Sequence, residues 1–519
     1  MPPDDHDLRR PPPSLGWHSR GRAAAVYRAA PAVTGRAVAE GLAALIRRHF
    51  LFTLMLGAGI GIRVLFVVAY YPAFWFPDTL GYVYNAAKIQ QNPIHGPLYP
   101  AFLHVISWTG GDVWIAVAQH ALIIGLSCAL YAVLVRRALP PWLAALACFP
   151  LVLGGQEIVL EHFMLSDTLF TVLTIASVLL MIGTERPRAA VYAAAGLFLG
   201  LAALDRTAAL ALAGVGLVVA LVRRVGWRPV AAFAVAAIVP IVANSVFLKP
   251  ARWTDYDLRI DSTRYLYSRL AQFADCSKLV LTPQERTFCP PDPLNNRPDR
   301  GDHYLWSPWL QHRPASDNAV ISDFNKQVLV HQWPQYLRLI ASDTARFLVP
   351  GRTMGPGTAC LSRVWYAPRS IHAAPESDAC EPLLAQRTGF GSGERTDGTG
   401  AHPSMRVFLS LYSHHMNVPV VVNGLCLLLV VAALVRRRGS PLVAESALAA
   451  AVALSALVVS MAIMYDPRYG IPVAVLFTGA GAMAAHALAG QVSRRADSST
   501  SEQNRVPAPA VAAALKESE

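Results

Sequence analysis

Residues 51–80 read LFTLMLGAGIGIRVLFVVAYYPAFWFPDTL. The run 51–71 is long and apolar enough to cross a bilayer as one helix, which takes about 20 residues for a hydrocarbon core of roughly 30 Å. It stops in a knot of aromatics and prolines, and the first carboxylate beyond it is Asp78. Further apolar blocks near spanning length lie at 112–135, 141–156, 168–183, 189–204, 207–222, 230–248, 417–435, 441–464 and 470–490. The composition agrees, since 54% of the 519 residues are apolar and only 15% are charged. No soluble core explains that balance. The expected fold is an all-α polytopic membrane protein of about ten transmembrane helices, with a small extracytoplasmic domain inserted before the last three.

Charge placement orients these spans. Basic residues fall at alternate ends: Arg47 and Arg48, Arg136 and Arg137, Arg186 and Arg188, Arg223, Arg224 and Arg228, Arg436 to Arg438, and Arg494 with Arg495. The positive-inside rule makes that side cytoplasmic and puts both termini there, as expected of a multi-pass protein of the cell membrane. The same clustering, at the headgroups, accounts for the net charge of +12 and leaves no need for a nucleic-acid partner. Residues 1–45, rich in Arg, Pro and Ala, read as a disordered cytoplasmic tail without a cleaved leader, and 491–519 as a second tail. Between them the chain divides into a membrane module at 46–248, an extracytoplasmic domain at 249–416 and the last helices at 417–490. Of seven cysteines, Cys128, Cys148 and Cys426 fall in apolar runs. Cys276, Cys289, Cys360 and Cys380 fall in the 249–416 segment, where an oxidising compartment favours two local bridges, Cys276–Cys289 and Cys360–Cys380, over four free thiols.

The loops assigned to the outer face carry the candidate chemistry. In the first, residues 72–111, Asp78 precedes an amphipathic stretch whose Leu80, Val83, Tyr84 and Ala87 share one face, as in a helix lying flat at the interface. Asp78 reads either as the cap of that helix or as a functional carboxylate. Lys88 and the turn His95-Gly96-Pro97-Leu98-Tyr99-Pro100 follow. Glu157, Glu161, His162 and Asp167 lie between the third and fourth spans, where Ser166 or Asp167 is equally a helix cap. Asp205-Arg206 and Tyr465-Asp466-Pro467-Arg468-Tyr469 break two later apolar runs on the face that the rule depletes of arginine. Each arginine there reads as an anion holder, since guanidinium grips phosphate with two donors, or as the partner of its neighbouring aspartate.

In these motifs the chain resembles the C-type superfamily of integral-membrane glycosyltransferases (GT-C), which includes the protein O-mannosyltransferases and the aminoarabinose transferases. The resemblance rests on Asp78, on the His95–Pro100 turn, on Leu165-Ser166-Asp167-Thr168-Leu169-Phe170, on Arg206 after a Gly- and Ala-rich span, and on Arg468-Tyr469 followed by Pro472. It covers residues 45–250 well, the last two spans weakly and the 249–416 segment hardly at all. Thr79 stands where many mannosyltransferases have a second acid, and Thr207 where a proline is common. The resemblance implies transfer of a hexose or pentose from a polyprenyl-phosphate donor to a glycan, lipid or protein acceptor at the outer membrane face.

The residues admit that chemistry. Transfer to a hydroxyl needs a base, for which Asp78 is placed, and a stabilised phosphate leaving group, for which Arg206 and Arg468 are placed. Lys88 and His95 are secondary candidates, and Tyr82, Glu161, His162, Asp167 and Tyr469 complete the expected substrate-binding set. No metal site or cofactor is expected. A divalent metal would have only Asp255-Tyr256-Asp257 or His414-His415 to use, and such pairs equally serve solvated loops. The competing class is a lipid or solute transporter or flippase, which would put charges within its spans, where this sequence reads as almost purely apolar. A non-catalytic scaffold is the third.

Overall fold

The computed structural model describes residues 47–89, 95–184, 187–206, 208–248, 262–298, 301–351, 355, 359, 362–369, 403–437 and 439–503, with side-chain surroundings to residue 490. The chain divides into two units, Met1–Phe50 and Leu51–Glu519. Only residues 47–50 of the first are described; the second holds the helical body. The main helices are α1 (Phe50–Ala69), α2 (Pro77–Ala87), α3 (Leu98–Ser107), α4 (Val113–Arg136), α5 (Pro141–Ala147), α6 (Phe149–Leu153), α7 (Gly155–His162), α8 (Asp167–Gly183), α9 (Ala189–Ala203), α10 (Ala208–Val222), α11 (Trp227–Phe247), α12 (Ser262–Ala271), α13 (Asn318–Ala345), α14 (Pro403–His415), α15 (Val420–Arg436), α16 (Pro441–Ile463) and α17 (Ala474–Gln503). Among the described residues there is no strand, only a parallel bridge between Phe74 and Phe163.

Six segments are long and apolar enough to cross a membrane: α1, α4, α11, the α14–α15 run, α16, and Pro467–Gly490. Four of the expected spans come out shorter. α8 has 17 residues, and α9 and α10 have 15 each, about 22–26 Å of helix. The run 141–156 is not one helix: it holds α5, α6 and the start of α7. Pro150 has no N–H to donate and would press on the carbonyl of Leu146 in a continuous helix, so the chain breaks at Cys148 and restarts as α6. Apolar side chains such as Val235, Ile238, Val239 and Val242 stay exposed on α11, as expected of a helix facing lipid.

Backbone contact sets the tightest packing. Gly196 and Gly200 stand four residues apart on α9, and a Cβ at either would lie 2.1 Å from the carbonyl oxygen of Phe233 or 2.4 Å from that of Ala237 on α11. Small residues at this spacing let two helices in an apolar medium touch along their main chains.

The described part of the 249–416 insertion belongs to the same unit as the helices rather than standing apart. It has its own small core, in which Tyr267, Phe288 and Phe324 pack together. Arg264 at its centre is fully buried and donates to Asn318 Oδ1 and the carbonyls of Leu310, Arg313 and Pro314. Cys276 and Cys289 are bonded, with Cα atoms 6.1 Å apart, as the first expected bridge requires. Cys360 and Cys380 lie outside the described residues. Arg269, also fully buried, donates to Asp343 Oδ2 at 2.6 Å and ties α12 to α13. Removing one partner of such a pair strands the other charge in a dry site. Asp343→Ala is therefore expected to destabilise the protein by about 3–5 kcal/mol, read as a lowered midpoint of thermal unfolding in detergent, whereas truncation of the exposed Asp323 should leave that midpoint unchanged.

Candidate functional site

Two extended segments bring the first loop to the fourth apolar helix. After α1 the chain lies along the residues that follow α7: Phe74 N–H donates to His162 O and Met164 N–H donates to Phe74 O, both at 2.9 Å. Pro77 then opens α2, where its missing N–H costs nothing. Thr79 Oγ accepts from Phe76 N–H and donates to Met164 O, each at 3.0 Å. Phe76 is thus the residue at the cap position, and Asp78 sits inside the first turn with its carboxylate turned elsewhere. The helix-cap reading of Asp78 is corrected accordingly. Asp167 likewise opens α8 without capping it, and Ser166 makes no capping bond, because its hydroxyl is shared between Tyr82 and Arg206.

Four loops meet here through their charges. Arg468, in the link between α16 and α17, reaches Asp78 Oδ2 at 3.3 Å, Asp466 Oδ2 at 3.1 Å and Asp167 Oδ2 at 3.9 Å. Arg206, in the turn between α9 and α10, bonds the same Asp167 oxygen and donates to Ser166 Oγ at 3.3 Å. Arg206 thus pairs with Asp167 rather than with its neighbour Asp205, while Arg468 pairs with both its neighbour and two distant acids. Aromatic rings stack around the cations: Phe76, Trp365 and Tyr469 lie 5.0–5.4 Å from Arg468, and Tyr469 and Phe170 lie 5.5 and 5.9 Å from Arg206. Exposure separates the members. The side chains of Asp78 and Arg206 are 22% and 20% accessible, against 1% for Asp167, 3% for Asp466 and 5% for Arg468. The chain of ion pairs therefore runs inward from one reachable carboxylate and one reachable guanidinium.

Burial pushes the Asp466 carboxyl up to about 6, against the opposing pull of Arg468. Trp365 Nε1 and Arg468 N–H both donate to its Oδ1 at 2.9 Å. Burial raises the Tyr82 hydroxyl too, and nearby Asp78 adds to the effect. Tyr82 hydrogen-bonds Ser166 Oγ at 2.9 Å, and the ring of His95 packs on it at 4.6 Å. The next residue, Gly96, lies so close to the Arg206 turn that a Cβ would stand 1.7 Å from Leu204 O. The His95–Pro100 turn and the Arg206 turn are thus one packed piece. Asp205 faces the same region, buried with both carboxylate oxygens unpartnered among the described residues, and burial holds its carboxyl well above the usual range.

Not every expected residue joins this cluster. Lys88 is exposed at the end of α2, with no contact to the ion pairs among the described residues. Glu161 and His162 belong to a second, interior network. Arg63, in the middle of α1, gives Nε and Nη2 to the two Glu161 oxygens at 2.7 and 2.5 Å, and further donors to the carbonyls of Leu151, Val152 and Gly59. His120 on α4 meets Glu161 Oε2 at 2.6 Å and His162 Nδ1 at 3.3 Å, and His162 Nε2 meets Tyr70 O at 2.9 Å. Glu161 and His162, expected in the substrate-binding set, are both completely buried and held by protein partners. The few charges within the almost purely apolar runs are paired: Arg63 with Glu161, and Glu445 with Arg137 at 2.7 Å and Arg223 at 3.4 Å.

Trp365, Arg63 and His120 escaped the sequence reading. Arg63 offered a signal, a lone arginine inside an apolar run; Trp365 offered none, since only folding carries it to Asp466. Among the described residues no His, Cys, Asp and Glu group is arranged to hold a metal ion. Asp255-Tyr256-Asp257 lies outside them, and His414 bonds Ser410 O and stacks on Tyr366. No protein-family model, curated protein or solved structure matches the chain.

Two outcomes separate the networks. Glu161→Ala leaves Arg63 buried with carbonyl partners only and is expected to cost about 3–5 kcal/mol, seen as loss of monodisperse protein in size-exclusion chromatography. For Asp466, the folded protein binds a proton that the unfolded chain releases near pH 4, so stability falls as pH rises from about 4 to about 6. Asp466→Asn should flatten the plot of unfolding midpoint against pH across that window, whose full height is about 3 kcal/mol.

Proposed function

We propose that the protein is a membrane glycosyltransferase that moves a sugar from a polyprenyl-phosphate donor to a hydroxyl acceptor at the outer face of the cell membrane. In this reading the shorter apolar helices and the broken α5–α6 pair bring the crossings to about ten, and both ends of the chain are cytoplasmic. Asp78 takes the acceptor proton, the freed oxygen attacks the anomeric carbon, and the bond from that carbon to the donor phosphate breaks. Arg206 and Arg468 take up the charge left on the phosphate. The observation that carries the reading is that the one accessible acid and the more accessible arginine stand at the two ends of a single chain of ion pairs. Tyr82, His95 and Tyr469 line it as substrate contacts, and Asp167 holds both guanidiniums while no phosphate is bound.

The transporter alternative would use charges within the spans. Arg63 is such a charge, but its guanidinium is fully occupied by Glu161 and backbone carbonyls, which suits a structural tie better than a moving path.

Asp78→Asn keeps the shape of the side chain and removes its basicity. In membranes supplied with a labelled polyprenyl-phosphate sugar, release of polyprenyl phosphate is expected to fall roughly 10²- to 10⁴-fold, with unfolding midpoint and yield near those of the parent. Full activity in that variant would remove Asp78 from the mechanism. Absence of release by the parent protein with every donor offered would remove the transferase reading itself.

A further inference from the structure

The second half of α13 carries an apolar face left exposed among the described residues. Val330, Trp333 and Leu337 recur at helical spacing and are exposed, and Val349 beyond the helix end is exposed as well. The helix bends just there, at Gln332, whose backbone leaves the helical region, with Pro334 two residues on. Before the bend, Ile321, Phe324 and Val328 face the core of the insertion. Beyond it Tyr336 still packs against the edge of that core, on Phe273, and the chain crosses the ends of two apolar helices of spanning length. Tyr336 OH donates to Ala462 O at 2.7 Å, one residue from the end of α16, and Asn423 Nδ2, in the first turn of α15, donates to Phe347 O at 3.2 Å. A four-residue link joins α15 to α16, so the start of the first and the end of the second lie at the same membrane level. A segment that touches both, from Tyr336 in α13 to Phe347 two residues past its end, runs along that level rather than away from it. α15, one of the two helices it touches, also exposes apolar side chains, Val421, Leu425 and Leu428. Lys326, before the bend, points into solvent.

We propose that the second half of α13 lies in the headgroup layer and seats Trp333 and Leu337 among the lipid acyl chains, so that the insertion is anchored to the bilayer as well as to the helices. Tryptophan suits this depth, with an apolar body and one polar N–H. The anchor bears on the ion-pair cluster through the end of the same helix. Phe347 and Arg346 pack on Tyr465, at ring distances of 5.7 and 4.8 Å, just ahead of Asp466 and Arg468.

The test places a nitroxide label, by cysteine substitution, at Trp333, Leu337 or Lys326 of the full chain, with the unpaired cysteines replaced and the Cys276–Cys289 bridge kept. Each variant is reconstituted in vesicles of phosphatidylethanolamine and phosphatidylglycerol. Labels at 333 and 337 are expected to collide with oxygen several-fold more often than with a water-soluble nickel chelate, and the label at 326 to show the reverse. Equal, chelate-dominated accessibility at all three positions would overturn the proposal. So would labels at 333 and 337 that neither reagent reaches, because the face would then be covered by protein, such as a second copy of the chain. Measuring 333 and 337 separately guards against misfolding of either variant, and retention of the size-exclusion position identifies the folded samples.

Discussion

Asp167 holds the site together. One of its oxygens receives Arg206 and stands 3.9 Å from Arg468, and the side chain is almost wholly removed from water. Two cations in so dry a place repel each other unless a carboxylate lies between them, and a lone buried carboxylate would be as unfavourable. The start of α8, the turn after α9 and the link after α16 are therefore bound into one arrangement. Asp78 joins from the open end through Arg468, and its place is fixed in advance by the pairing of Phe74 with the residues after α7. The backbone sets where the acid stands, and the ion pairs set what it faces.

A second dry network runs deeper. Arg63 satisfies its guanidinium on Glu161 and on the carbonyls of Leu151 and Val152 in the last turn of α6, which the helix end at Gly154 leaves without intrahelical donors. One arginine thus repairs the end of a short helix and neutralises a buried acid. This explains how a chain with an interrupted third apolar run remains packed, and why Glu161 and His162 lie among protein groups while Asp167, a few residues on, reaches the loops.

Much of this was legible in the sequence. The apolar runs became helices close to where they were expected, because burial in lipid or protein demands that composition whatever the tertiary arrangement. The placing of Asp78, Asp167, Arg206 and Arg468 on one face followed from topology, and those four do come together. What could not be read was which charge meets which. Arg206 prefers Asp167 to its sequence neighbour Asp205, and Glu161 turns inward, because those choices depend on helix rotation, which hydropathy does not report. Trp365 lay beyond reach for another reason: its contact with Asp466 spans 101 residues, and no local pattern announces so distant a partner.

The paired glycines of α9 carry a consequence for how this sequence can vary. Positions 196 and 200 admit no side chain without forcing α11 away, whereas Leu197, between them, faces outward and is free to become any apolar residue. Variants of this protein should therefore show a fixed beat of two glycines inside an otherwise interchangeable apolar text. A drift at either position would tilt α9 and carry its C-terminal turn, with Arg206, out of reach of Asp167.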